Sequence, residues 1–353
     1  MSARVRLIDV AKGMSITLVA FGHSHLVAMS PVAGVFNRGI GLVRMPFFFF
    51  LSGLFFGASK PVGTLVREKS ASLLKPYLAT LGLVVLGRVL FDGAALANEL
   101  PRVLYGVGTA IDMPWAPLWY LAHLWLVFPY ARGLVAVATA ARLPAWSAAG
   151  LLVVQTVVCL SYLHLFRNMP FTLPGMQIPL DGLPFSIDLL GVSSTYFLLG
   201  YALRDRVFRF RPDPVLVVVL LLVFLALNGL FHPRMDLNQR TVLRPVATTA
   251  CGFVGIYLAL SAAYALGRST KLGALAAFVG FNSLFVLIFH ACLDDLGRRA
   301  IAYVMSWEAG LGTAGTAFVA AVLSSAALGA FIRRTPMLAA LYLPTKNVRS
   351  APR

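Results

Sequence analysis

The sequence predicts an all-α integral membrane protein that crosses the bilayer about ten times. Of its 353 residues, 59% are hydrophobic and only 12% are charged, and the mean hydropathy is +0.82. A soluble domain carries about 25% charged and about 45–50% apolar residues, so this composition indicates a body embedded in a membrane and excludes a disordered chain. Apolar runs of about 20 residues, the length of a membrane-spanning helix, recur along the chain. A run such as 215–227 does not alternate between apolar and polar residues, as the strands of a transmembrane barrel do.

Ten apolar segments are predicted to be transmembrane helices. In chain order they are 8–29, 39–57, 76–96, 118–140, 145–166, 184–203, 215–231, 246–266, 274–293 and 311–332. The first segment carries Asp9 and Lys12 and has no small-residue cleavage site, so we interpret it as a retained helix and not as a signal peptide. We therefore expect one transmembrane domain over residues 1–332, followed by a basic and poorly ordered cytoplasmic tail over residues 333–353.

The net charge of +17 follows the predicted topology. With the N-terminus in the cytoplasm, 18 of the 30 lysines and arginines fall in cytoplasmic segments, 8 in external segments and the remaining four inside the spans. Every lysine lies in a cytoplasmic segment or at the cytoplasmic end of the first helix. This bias follows the positive-inside rule, so both termini are predicted to be cytoplasmic. Because topology accounts for most of the basic excess, no nucleic-acid partner is expected despite a pI near 10.4.

The cysteines and histidines do not form a metal-ligand pattern. Cys159, Cys251 and Cys292 stand singly within apolar runs, which favours three buried thiols over a disulfide framework or a zinc site. His23 and His25 are two residues apart, and side chains with that spacing point to different sides of a helix. No metal is expected.

Ionisable side chains lie inside the predicted spans, where their burial is costly and marks a candidate functional site. A rise of about 1.5 Å per residue places five of them in one layer, about 22–24 Å from the cytoplasmic side of the bilayer. These five side chains come from five different segments: His23, Arg44, His123, Asp188 and His290. Each of them, taken alone, is also explained as a hydrogen-bonding partner between packed helices.

The first segment carries a polar stripe. Lys12 and His23 are 11 residues apart, about three helical turns, so they share one face. Asp9 precedes Lys12 by three residues and is predicted to pair with it. A charged pair at the cytoplasmic end, with an imidazole above it, suits a path from the inner face to a reaction centre in the outer half of the membrane.

These same residues carry a resemblance to a known family. Residues 6–13, RLIDVAKG, followed by Gly22-His23-Ser24, resemble the first helix of the acyltransferase-3 family of bacterial membrane O-acyltransferases. That helix has Arg, then Leu or Ile before Asp, then a basic residue, and His eleven positions later. Three further blocks agree in order: RMPFFFFLSG at 44–53, PLWYL at 117–121, and GFNSL at 280–284 with His290 following.

Three departures from the family pattern indicate which members of the family this chain resembles. Lys12 stands where many members have Arg, and the lysine form is familiar in the subgroup similar to fucose 4-O-acetylases. The R-x-x-R motif of other glycan acetylases is not evident, and neither is an appended extracytoplasmic esterase-like domain. The resemblance therefore implies a chain that acts alone or with a partner protein.

The resemblance implies an activity. An acyl group, most often acetyl, would pass from cytoplasmic acyl-CoA to a hydroxyl group of an extracytoplasmic or lipid-linked glycan at the bacterial inner membrane. His23 is expected to act as the general base, with an acyl-carrier role as the alternative. Arg44 is expected to stabilise the oxyanion, with Asn282 and Ser283 in support, while Asp9 orients the neighbouring lysine.

The resemblance also implies two binding regions. A basic rim is expected to hold the CoA phosphates, and its members are Arg6, Lys12, Arg67, Lys69 and Lys75. Ordinary positive-inside topology explains the last three equally well. The glycan acceptor is expected to meet a second set, Trp119, His123, Asp188 and His290. Membrane lipid is a further expected partner, and a homo-oligomer is left open.

Two other functions compete with acyl transfer. A transporter or flippase also uses intramembrane Asp, His and Arg side chains, although the chain shows no inverted repeat and no pair of broken helices. A membrane protein with a purely structural or assembly role is the other alternative, and the clustering of the polar blocks argues against it.

Overall fold

The computed structural model describes residues 3–176, 179–305 and 310–344. Its regular structure within these ranges consists of α-helices, short 3-10 and π segments, and one small β-ribbon. In chain order the helices are α1 Ala3–His23, α2 His25–Met29, α3 Pro31–Gly53, α4 Val62–Lys69, α5 Lys75–Phe91, α6 Leu96–Tyr105, α7 Trp119–Ala140, α8 Ala145–Tyr162, α9 Leu190–Val207, α10 Pro214–Phe231, α11 Pro245–Arg268, α12 Thr270–Phe281, α13 Ser283–Met305, α14 Leu311–Arg334 and α15 Pro336–Tyr342.

The remaining elements are short. A π-helical segment, Ser70–Leu74, joins α4 to α5. Three 3-10 segments precede or follow longer helices, at Ala116–Leu118, Leu163–Phe166 and Pro184–Leu189. The ribbon pairs β1 Arg234–Asp236 with β2 Thr241–Leu243.

The all-α, polytopic prediction is confirmed. Seven of the described helical segments are long and apolar enough to cross a membrane, and the bent pair of α12 and α13 would make an eighth. Each of the ten predicted segments falls on helix, but α1 and α3 are not among the seven. Charged side chains lower the hydropathy of both helices, Asp9 and Lys12 in α1 and Arg38 and Arg44 in α3.

Two predicted spans are broken in the structure. The segment predicted over 8–29 divides at Ser24, whose backbone is extended at φ −77° and ψ 150°. The segment predicted over 274–293 divides at Asn282, where α12 and α13 meet at 90°. The Phe278 carbonyl accepts both from the backbone N–H of Asn282 at 3.2 Å and from its side-chain amide at 3.0 Å, so the side chain reinforces the end of α12. Apolar length alone does not reveal such a break.

The predicted tail is partly helical. Residues Pro336–Tyr342 form α15, and the Lys75 ammonium donates to the Leu343 carbonyl at 2.8 Å. Residues 345–353 lie outside the described residues.

The chain forms two compact units. The first comprises Met1–Phe55, Thr195–Asp236 and Val242–Gly329, and the second comprises Phe56–Ser194, Leu237–Thr241 and Ala330–Arg353. Within the first unit, α1 lies along α12 and also packs against α3, α11 and α13. Within the second unit, α7 packs against α4 and the π segment, and α5 packs against α6 and α15.

Helices α1 and α12 approach each other at glycines. A Cβ atom added to Gly13 would overlap the backbone carbonyl of Ala276, and one added to Gly280 would overlap the carbonyl of Asp9. Small residues let helix backbones approach closely in a membrane, where van der Waals packing drives helix association. This crossing brings α1, which carries His23, against the helix that precedes α13.

We predict that Gly13→Ala weakens this crossing. Because the obstructing atom belongs to the backbone, the helices must separate, and overpacking of this kind costs about 1–3 kcal/mol. The thermal midpoint of the purified protein in detergent, followed by fluorescence-detected size exclusion, is therefore expected to fall. Gly82→Ala in α5 is the matched control, since nothing lies within 4 Å of its added Cβ. Equal midpoints for the two variants would contradict the prediction.

Candidate active site

His23 is the last residue of α1 and does not lie in the middle of a span. The chain leaves the helix at Ser24, whose hydroxyl donates to the Phe21 carbonyl at 2.8 Å. The imidazole of His23 is half-buried. A side chain at a helix end is held by the helix on one side and can meet a ligand on the other.

His290 of α13 faces His23. The centroids of the two rings are 5.7 Å apart and the ring planes are inclined by 50°. Nδ1 of His290 lies 2.7 Å from the Val286 carbonyl and 3.2 Å from the Leu287 carbonyl, so Nδ1 carries the proton and donates it. Nε2 therefore presents a lone pair. It is buried and has no hydrogen-bond partner in the part of the chain that the structure describes.

Arg44 of α3 lies against the turn that carries His23. Its Nη1 donates to Asn37 Oδ1 at 3.1 Å. A Cβ atom added to Gly22 would overlap this same Nη1, so the guanidinium occupies the space that a side chain at position 22 would fill. The structure thus explains why the sequence motif pairs a glycine with the histidine, and it brings Arg44, His23 and His290 together in one unit.

Among the described residues, the predicted pairing of Asp9 with Lys12 does not take the form of a close ion pair. Within the described residues, the ion pairs closer than 4.0 Å do not include these two side chains. The Lys12 ammonium lies over the Phe55 ring instead, 4.4 Å from its centroid. An aromatic face attracts a cation through its quadrupole, so the lysine is satisfied without its neighbour. Arg6, near the same helix end, donates to the Ser269 carbonyl at 3.1 Å.

Asn282 has a visible structural role at the bend. Its amide donates to Phe278, as above, and its backbone carbonyl accepts from the N–H groups of Phe285 and Val286 at 2.9 and 3.1 Å. It is 1% exposed. These bonds close α12 and begin α13, whose first residue is Ser283. Support of an oxyanion by Asn282 and Ser283 stays a prediction.

Asp294 is a site residue that sequence reasoning missed, because it falls just after the predicted span 274–293. Its Oδ2 accepts from the backbone N–H of His25 at 3.2 Å and lies 2.8 Å from Nδ1 of the same residue. Its other oxygen, Oδ1, is buried and has no hydrogen-bond partner among the described residues. The spacing of four residues from His290 is the signal that would have revealed it, since such residues share a helix face.

Three predicted acceptor residues belong to the second unit, where they are engaged internally. His123 is fully buried, with Nδ1 3.2 Å from the Phe185 carbonyl and Nε2 2.9 Å from the Ser193 hydroxyl. The Trp119 ring, 6% exposed, packs 5.7 Å from the His123 ring. Both residues therefore have a core-packing role in the structure.

Asp188 is held in an ion pair whose side chains are both 0% exposed. Its Oδ2 accepts from Nε of Arg240 at 2.9 Å, and its Oδ1 accepts from Nη2 at 3.1 Å and from the Leu183 N–H at 2.9 Å. A buried carboxylate requires such compensation. The arginine occupies both carboxylate oxygens in the structure, and the expected contact of Asp188 with an acceptor stays a prediction.

The predicted basic rim is divided between the units. Arg6 and Lys12 belong to the first unit, and the other three members belong to the second. Arg67 is exposed, while the Lys69 ammonium lies 4.0 Å from the centroid of the Phe128 ring. The Lys75 ammonium donates to the Leu343 carbonyl. Nowhere in residues 3–176, 179–305 and 310–344 do three His, Cys, Asp or Glu side chains lie together as metal ligands.

Comparison with known proteins gives one match. A family model described as an acyltransferase domain matches residues 5–332, which is nearly the whole chain. No curated protein and no solved structure matches the chain.

We predict that Gly22→Ala displaces Arg44. The added methyl group claims the position of Nη1, and a flexible side chain gives way more readily than a helix backbone, so the guanidinium should move while the fold is kept. Phenylglyoxal labelling of Arg44, read by peptide mass spectrometry, is expected to increase. Gly39→Ala in α3, which has nothing within 4 Å of its added Cβ, is the control. Unchanged labelling in Gly22→Ala would show that the guanidinium does not depend on this space.

Proposed function

Because this chain belongs to the acyltransferase family whose domain model spans residues 5–332, we propose that it moves an acyl group, most simply acetyl, from acyl-CoA to a hydroxyl group of a glycan. The glycan is extracytoplasmic or linked to a lipid, and the enzyme works in the inner membrane of a bacterium. No metal takes part in the proposed reaction.

The observation that carries this proposal is the group formed by His23, His290 and Arg44. Two imidazole rings lie 5.7 Å apart between centroids, and a guanidinium packs against the residue that precedes one of them. Acyl transfer to an alcohol needs a base for the alcohol proton and a cation or hydrogen-bond donor for the oxyanion. The three side chains offer both.

The proposed reaction uses these groups in two steps. The alcohol oxygen attacks the carbonyl carbon of the thioester while its proton passes to the His23 imidazole, and the oxyanion that forms is stabilised by the Arg44 guanidinium. The carbon–sulfur bond then breaks, the ester is released, and the CoA thiolate takes the proton back from His23. His290 lies next to the acceptor hydroxyl in this scheme.

The donor is proposed to enter from the cytoplasmic side, past the first turns of α1. Arg6 and Lys12 lie there, and both are cations that can attract the CoA phosphates. Lys12 rests on an aromatic ring and makes no close ion pair with Asp9, so its charge remains available to an anion. Asp9 would then act on the Lys12 ammonium only through an electrostatic interaction without direct contact.

We predict that a reporter inserted after Arg211, between α9 and α10, reads cytoplasmic. Arg204, Arg206, Arg209 and Arg211 cluster at this point, and the positive-inside rule retains such clusters in the cytoplasm. A reporter inserted after His232, beyond the apolar α10, is the matched control and should read external. Reversed readings would place the donor on the opposite face from the one proposed.

We predict that His23→Ala abolishes ester formation while expression and membrane insertion are kept. Loss of a general base lowers a rate by about 100- to 10 000-fold. The measurement is the acetate that mild alkali releases from the purified surface glycan of cells making the full-length protein.

His164→Ala, which changes an exposed histidine in the second unit, is the control and should retain the ester. Full acetylation with His23→Ala would refute the role of this residue. Accumulation of a glycan without any ester in wild-type cells would favour a transporter instead.

A further inference from the structure

One face of α13 carries a row of incompletely paired polar atoms. His290, Asp294 and Arg298 are spaced by four residues, so their side chains lie one above another on the helix. Each has one buried atom with no hydrogen-bond partner in the described part of the chain: Nε2 of the histidine, Oδ1 of the aspartate and Nε of the arginine. Almost all buried polar atoms in proteins are hydrogen-bonded, and three exceptions on one face indicate a partner from outside the chain.

The other ends of these side chains are fixed. His290 donates through Nδ1 to its own helix, Asp294 accepts through Oδ2 from His25, and Nη2 of Arg298 donates to Asp295 at 3.2 Å. His290 and Asp294 are 2% and 3% exposed. The unpartnered atoms are therefore held in place by these bonds, as they would be in a preformed binding site.

The pattern of donors and acceptors defines the ligand. Nε2 of His290 and Oδ1 of Asp294 both accept, so each requires a donor, while Nε of Arg298 donates. Hydroxyl groups both donate and accept, and neighbouring hydroxyls on one ring can satisfy all three atoms. A ligand with a single hydroxyl satisfies only one of the two acceptors.

We propose that this row, His290, Asp294 and Arg298, is the acceptor subsite and that it binds a neutral polyhydroxylated ring through adjacent hydroxyl groups. The ring of His23 beside His290 places the first hydroxyl next to the proposed base. Calling the bound molecule an acceptor rests on the proposed function, whereas selective binding of a diol does not.

Asp294→Asn provides the discriminating variant. Two donors of His25 converge on Oδ2, so the amide oxygen of the asparagine must take that position. The amide NH₂ then replaces Oδ1, and an acceptor becomes a donor with little change of shape. Asp205→Asn, which makes the same change at an exposed aspartate of α9 in the same unit, is the matched control.

The probes are cis-1,2-cyclohexanediol and cyclohexanol, which differ by one hydroxyl. Saturation-transfer difference NMR on the full-length protein in lipid nanodiscs measures their binding. The diol is expected to bind the wild-type protein about tenfold more tightly than the mono-ol, which is the effect of one additional hydrogen bond to a charged group. Asp294→Asn should remove this advantage. Asp205→Asn should keep it. With acetyl-CoA present, Asp294→Asn should raise the KM for the diol by the same factor and leave the KM for acetyl-CoA unchanged.

The outcomes separate the two proposals. Equal binding of diol and mono-ol by the wild type, or an undiminished diol advantage in Asp294→Asn, overturns the subsite. Diol selectivity that depends on Asp294, without an ester on any alcohol, supports the subsite and contradicts the proposed function. Should Asp294→Asn fail to fold, His290→Phe tests the same row, because it removes the other acceptor, Nε2, and keeps an aromatic ring at this position. A full diol advantage in that variant overturns the proposal.

Discussion

The crossing of α1 and α12 is the constraint on which the candidate site depends. Two glycines allow the backbones to touch, so the register of α1 against α12 is set by main-chain contact and not by adaptable side chains. The position of His23 follows from that register, because it ends α1. The position of His290 follows from the 90° bend that separates α12 from α13. The close helix crossing and the sharp bend together bring the imidazoles of His23 and His290, which are far apart in the sequence, to 5.7 Å between ring centroids.

The membrane environment explains why the polar groups divide into two kinds. Unpaired polar atoms are expensive in an apolar interior, so most of those predicted as site residues are satisfied by the chain itself. Asp188 with Arg240, and His123 with Ser193, are of this kind, and both pairs lie within the second unit. The row on α13 is of the other kind, since its partly unpaired atoms cost stability unless a ligand completes them.

Much of the architecture follows from the sequence, because apolar length and charge bias report directly on a bilayer. Each of the ten predicted segments falls largely on helix, and the motif residues His23, Arg44 and His290 lie in one unit. The breaks at Ser24 and Asn282 do not follow, because each depends on a local hydrogen bond within an otherwise apolar run. The pairing of Asp188 with Arg240 does not follow either, since the two residues are 52 positions apart and no local pattern connects them.

The packing of Arg44 into the space above Gly22 has an evolutionary consequence. Neither position can change alone without cost: a larger residue at 22 expels the guanidinium, and a smaller residue at 44 leaves a void beside His23. The residues at positions 22 and 44, which lie on two different helices, are therefore expected to co-vary. Descendants of this chain are expected to keep both residues or to replace them together, as happens when one side chain fills the volume that another has given up.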